Sequence, residues 1–141
     1  MVIAIDFDGT MVRHEYPLIG EEVPNAVKVM KRLSLHGHQL ILWTMRGGEE
    51  LRNAIQWCIE HGIQLYGVNR NPEQTWTESP KCYAQLYIDD AALGCPLVID
   101  DPNVPNKSDR PYVNWEEVEE QLEIMGVLPP TPDTYTQLYD N

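Results

Sequence analysis

The chain has 141 residues, 22 acidic and 10 basic, for a formal charge of −12. One domain's length with 43% apolar residues excludes a disordered chain. The acidic surplus disfavours phosphate backbones and anionic lipid surfaces, so neither a nucleic acid nor a membrane is an expected partner. No apolar run reaches the length of a membrane span, and Met1-Val2-Ile3-Ala4-Ile5-Asp6 lacks the basic start of a signal peptide. Cys58, Cys82 and Cys95 form no C-x-x-C pair, which points to a reducing cytoplasm without a disulfide framework.

Val2–Asp6 reads as a buried strand, and residues 8–22, with Gly9, Pro17 and Gly20, as a loop or small flap. Pro24 and Gly37 bracket a helix with Ala26, Val27, Met30 and Leu33 at helical spacing. Leu40–Trp43 is the second strand. Gly47 and Gly48 open a second helix, with Leu51, Ala54, Ile55, Cys58 and Ile59 expected inward and Gly62 at its end. Leu65–Val68, Leu86–Ile88 and Leu97–Ile99 are three more strands, separated by loops over residues 69–80 and 100–111. Asn114 caps a last helix over Trp115–Met125, ended by Gly126. Its acids Glu116, Glu117, Glu119, Glu120 and Glu123 are expected as a solvated face. The alternation predicts an α/β fold: a three-layer α/β/α Rossmann-like parallel sheet of about five strands. Residues 1–126 form a single domain, and 127–141 a Pro-rich tail, either a free end or a strap across a neighbour.

The acids fall at strand ends. Asp6 closes the first strand and Asp8 follows; Thr44 comes directly after the second strand, and Asp89 and Asp90 directly after the fourth. In a parallel sheet these carboxyl ends share one edge, where open α/β sheets bind ligands. Carboxylates gathered there repel one another, so one holds a proton or a cation binds, and an all-oxygen donor set suits Mg²⁺. Of the Asp6/Asp8 pair, one carboxylate is placed to attack phosphorus and the other to handle the leaving-group proton. A threonine hydroxyl and a lysine would then hold the remaining phosphoryl oxygens.

Val2-Ile3-Ala4-Ile5-Asp6-Phe7-Asp8-Gly9-Thr10 resembles motif I (D-x-D-G-T) of the haloacid dehalogenase superfamily. Leu40–Thr44 resembles motif II, Lys81 motif III, and Leu86-Tyr87-Ile88-Asp89-Asp90 motif IV, so the likeness spans residues 2 to about 100. The resemblance implies a Mg²⁺-dependent phosphatase that hydrolyses a phosphomonoester through an aspartyl-phosphate. Asp6 would be the nucleophile, and Asp8 the general acid and then the general base. Thr44 and Lys81 would hold the phosphoryl group. The ion would sit on the Asp6 side chain, the Asp8 backbone carbonyl and the Asp89/Asp90 pair. Dehalogenase members lack the second acid, so Asp8 favours phosphoryl transfer. Lys81 precedes Asp89 by only eight residues, closer than in many relatives, and Arg46, Arg70 and Lys107 are the alternatives for its role.

No gap between the motifs is long enough for a cap domain, so the site is expected to stand open to a phosphorylated small molecule or a larger substrate, or to be closed by another subunit in a homo-oligomer. The rival reading is a phosphate-sensing or regulatory domain of the same fold with weak turnover. A response-regulator receiver fits poorly, because Thr44 precedes the third strand and an Asp pair closes the set. His14, Glu15 and Tyr16 in the flap are read as surface residues, with contact to the substrate leaving group as the alternative, while His36 and His38 around Gly37 are read as exposed and His61 as serving a helix end. Asn69, Arg70 and Asn71 follow the third strand, as substrate contacts or as a capped turn.

Overall fold

The computed structural model describes residues 1–105 and 107–132. Four strands make a parallel sheet in the order β3-β2-β1-β4: β1 (Val2–Ile5), β2 (Gln39–Leu42), β3 (Leu65–Val68) and β4 (Leu86–Ile88). Ile3 lies beside Leu40 on one flank and Leu86 on the other, which makes β1 an inner strand, as β2 is. The expected α/β Rossmann-like parallel sheet is therefore present, and no cap domain occurs among the described residues.

The chain steps from β1 to β2 and on to β3 in one direction. Right-handed crossovers then force both connecting helices, α1 (Ala26–Leu35) and α2 (Gly48–Glu60), onto the same face. The helix α3 (Trp115–Ile124) joins them there. Ile3, Ile5, Leu40, Leu42 and Ile88 point into that layer and build the main core with Val29, Met30, Leu33, Trp57, Trp115 and Leu122. On the opposite face Ala4 and Ile41 meet Cys82, with Trp43, Tyr66 and Ala84 packed around them. That second covering layer is thus the coil returning from β3 to β4, not a helix.

Each helix follows its apolar stripe. In α1, Ala26, Val29, Met30 and Leu33 are buried at i, i+3, i+4 and i+7, and Gly37, at φ 85°, turns the chain out. In α2 the stripe is rotated from the expected one: Ala54, Trp57 and Cys58 are buried, whereas Ile59 is 61% exposed. Trp57 takes the inner place because its ring meets Phe7 edge-on at 5.6 Å and stacks on His61 at 3.9 Å. In α3 the Asn114 side chain caps the Glu117 N–H, as expected. Its acidic run is not wholly solvated. Glu123 is buried on the Arg32 guanidinium at 2.6 Å, and Glu119 shares that guanidinium at 3.1 Å.

The expected fifth strand does not extend the sheet. β5 (Leu97–Val98) pairs antiparallel with a short strand unforeseen in the sequence, β6 (Tyr112–Val113). The intervening loop closes on Asp100, which accepts from Arg13 Nε at 2.7 Å and Nη2 at 2.8 Å, from Ser108 N at 2.9 Å and from the Tyr112 hydroxyl. After Gly126 the chain re-enters the core: Val127 and Leu128 are buried, and Arg32 donates to the Pro129 carbonyl at 2.7 Å. Packing therefore continues past residue 126, and the expected tail lies outside the described residues from 133 onward. No helix among the described residues is long and apolar enough to cross a membrane.

Candidate active site at the carboxyl edge

β2 and β4 flank β1, and winding reverses between β1 and β4, so the crevice at their carboxyl ends is the topological switch point. Asp6 enters it directly after β1, its N–H donating to the Ile88 carbonyl at 2.9 Å. Three consecutive amides, of Thr10, Met11 and Val12, donate to the Phe7 carbonyl and fold the next residues into a tight turn. Gly9 stands in that turn at φ 80°. A Cβ there would lie 2.1 Å from His14 Nε2 and 2.4 Å from Asp90 Oδ2, so only glycine fits. The D-x-D-G-T pattern thereby acquires a local reason: its glycine lets the flap close over the acids.

Thr10, fully buried, joins the strand ends. Its hydroxyl donates to Asp6 Oδ2 at 3.0 Å and accepts from the Asp90 N–H at 3.2 Å. Asp89 accepts from Ala91 N at 2.8 Å, and Asp90 Oδ2 is 2.9 Å from His14 Nε2. One carboxylate oxygen each from Asp6, Asp89 and Asp90 lie within 4.8 Å of one another. Burial, hydrogen bonding to Asp90 and the charge of Asp89 push Asp6 up to about 8. Burial, followed by the neighbouring Asp90, raises Asp89 as well. Three half-buried acids, with one histidine against them among the described residues, form a donor set of hard oxygens. That chemistry fits Mg²⁺.

The Asp8 carboxylate is turned away from this group. Arg46, 3% exposed, holds both its oxygens, with Nε–Oδ2 at 2.8 Å and Nη2–Oδ1 at 2.7 Å. The same guanidinium donates to the Pro17, Leu18 and Glu50 carbonyls and lies over the Phe7 and Tyr16 rings. Arg46 therefore pins the flap to the end of β2. Thr44 accepts the Arg46 N–H on its hydroxyl at 3.1 Å, and its own N–H donates to Asn69 Oδ1 at 2.8 Å.

Asp6, Thr44, Asn69 and Asp89 line one cavity of about 350 Å³, walled also by Trp43, Met45 and Pro80. Of the residues expected from the sequence, the fold gathers Asp6, Asp8, Thr44, Asp89 and Asp90 at this edge. Lys81 is not among the cavity's walls; it stands exposed on an adjoining cavity, sharing Asn69 and Pro80 with this one. Arg46, weighed only as a substitute for Lys81, proves to be the partner of Asp8, and His14, read as a surface residue, the partner of Asp90. The available signal for Arg46 was its place two residues after Thr44, at the mouth of an acidic site.

The chain is 37% identical to a conserved protein from Bacteroides thetaiotaomicron of solved structure. The two superpose with a TM-score of 0.71 over 100% of this chain and 98% of the other. The chain belongs to that protein's family. This kinship extends over the whole length, so the sheet edge and the flap both fall within the shared fold. No protein-family profile matches the chain, and no curated protein does.

Proposed function

We propose that the protein is a Mg²⁺-dependent phosphatase of the haloacid dehalogenase type, hydrolysing a phosphomonoester through an aspartyl-phosphate. The observation that carries this reading is the meeting of Asp6 with Asp89 and Asp90 at the switch point, beside a cavity that Asp6 and Asp89 line together with Thr44 and Asn69. Asp6, Asp89 and Asp90 would hold the ion, with the Asp8 backbone carbonyl as the resemblance implies. Bound there, Mg²⁺ supplies charge neutralisation for the phosphoryl oxygens and for the acids.

In the first step an Asp6 carboxylate oxygen bonds to phosphorus, the ester P–O bond breaks, and the leaving oxygen takes a proton from Asp8, a role that requires the Asp8 carboxyl to leave the Arg46 guanidinium and turn into the site. In the second, Asp8 takes a proton from water as its oxygen bonds to phosphorus. The Asp6–phosphorus bond breaks and phosphate leaves. Thr44 and Asn69 orient the phosphoryl group, and Thr10 fixes the Asp6 carboxylate.

The test is hydrolysis of an aryl phosphate with and without Mg²⁺, by the wild type, Asp6→Asn and Asp8→Asn. Metal-dependent turnover absent from both variants supports the reading; turnover retained by Asp6→Asn refutes it. A second reading, a phosphate sensor of the same fold, is favoured by one observation: both Asp8 oxygens are engaged by Arg46. It predicts phosphate-analogue binding without turnover in the same assay.

A further inference from the structure

The turn after β3 and the limb before β4 enclose a second cavity of about 200 Å³ beside the first, with Asn69 and Pro80 common to both walls. The volume admits roughly six waters, enough for one small ionic group. Arg70 and Lys81 line it, one on each limb. Arg13, Arg32, Arg46 and Arg52 each hold a carboxylate. Arg70 and Lys81 hold none within ion-pair distance among the described residues, although Glu78 lines the same cavity.

The loop that carries them is built. Gly67 lets the chain fold back after β3, since a Cβ there would stand 2.3 Å from the Arg70 carbonyl. Asn69, at φ 54°, reverses the chain just before Arg70. Across the cavity, buried Asn71 donates to the Tyr83 carbonyl at 3.1 Å, and Gln74 donates to the Lys81 carbonyl at 3.0 Å. The two limbs that bear the cations are thus tied together by side chains.

We infer that Arg70 and Lys81 form an anion subsite beside the phosphoryl cavity, so that the substrate is a phosphomonoester bearing a second anionic group, a carboxylate or another phosphate. The inference rests on the phosphatase reading. The transferring phosphoryl group sits at Asp6, the linking atoms pass Asn69 and Pro80, and the second charge lies between the two cations. Such a subsite gives selectivity to an otherwise open site, because a local pair of cations stands out on a chain of net charge −12.

The probes are 3- and 4-carboxyphenyl phosphate, each compared with its carboxamide, which matches it in size but not in charge. The wild type is expected to favour a carboxylate by about tenfold in kcat/KM, as two partly solvated cations provide. In Arg70→Gln/Lys81→Met that ratio is expected to fall to about one. A Lys81 that held the transferring phosphoryl group would lower both members of each pair alike and leave the ratio in place, which would overturn the subsite. Calorimetry on Asp6→Asn measures the same pairs without turnover, and equal affinities there also overturn it. Turnover of both members without carboxylate preference removes the subsite and leaves the phosphatase standing. Absence of turnover on every ester removes the phosphatase, while calorimetry still decides the subsite.

Discussion

Arg46 closes on Asp8 through two parallel hydrogen bonds while the same guanidinium holds the carbonyls of Pro17 and Leu18. The second acid of the motif, the flap and the end of β2 are thereby one unit. Removing the cation leaves Asp8 without its partner and the Pro17 and Leu18 carbonyls without this donor. Arg46→Ala is expected to lose about 3 kcal/mol of stability in urea unfolding, the usual cost of breaking a buried ion pair. Arg46→Lys keeps the charge without the fork and should retain the fold while losing part of that stability, because the paired bonds to Asp8 and the flap carbonyls are not all remade. Wild-type stability in Arg46→Lys would contradict this role.

Thr10 bridges two strand ends through a single hydroxyl. Thr10→Val keeps the shape and strands both the Asp6 oxygen and the Asp90 N–H. The expected cost is about 1–3 kcal/mol of stability, with a fall in turnover as Asp6 loses its orientation. Thr10→Ser should restore most of both. Equal behaviour of the valine and serine variants would show that the hydroxyl plays no part.

Asp6 has an ordinary value of 3.8 and is raised to about 8 in the fold. Between those values the folded protein holds a proton that the unfolded chain has released, so stability falls as pH rises through this window. Under the proposed function, Mg²⁺ bound among Asp6, Asp89 and Asp90 would compete with that proton. The gain in melting temperature on adding Mg²⁺ is therefore expected to be larger near about pH 8 than near about pH 5. A gain of the same size at both pH values, or none, would contradict cation binding at these acids.

Asp100 has the opposite sign. The Arg13 guanidinium, with Tyr112 and Ser108, holds its carboxyl well below the usual range. Its contribution is present above the ordinary carboxylate value and is lost as pH falls through the lowered one. Asp100→Asn is expected to cost about 3 kcal/mol at neutral pH, since it leaves Arg13 without its charge partner. The loss should shrink in strong acid. Comparing urea midpoints of the two proteins at both pH values measures it.

Strand and helix positions were readable because each carries a local signal. The run Leu65–Val68 is apolar between turn residues, and the stripe through Met30 and Leu33 repeats at helical spacing. What was not readable is what long-range contact decides. Leu97–Val98 looks like any buried strand, and nothing local shows that it leaves the sheet for Tyr112–Val113, a partner too short to leave a pattern. Helices on one face follow from strand order, which the alternation of elements does not encode. At the site, Asp6, Asp8, Thr44 and the Asp89/Asp90 pair were visible as polar residues at strand ends. The pairings of Arg46 with Asp8 and His14 with Asp90 were not, because 38 and 76 residues separate them and only the folded flap brings them together.

The most direct measurement is a crystal structure grown with Mg²⁺ and beryllofluoride, which imitates a phosphoryl group on a carboxylate. The result expected is beryllium bonded to an Asp6 oxygen, with one cation among Asp6, Asp89 and Asp90 and Thr44 facing the fluorides. Beryllofluoride on another acid, or a cation bound away from these three residues, would contradict the assignment of Asp6 as nucleophile.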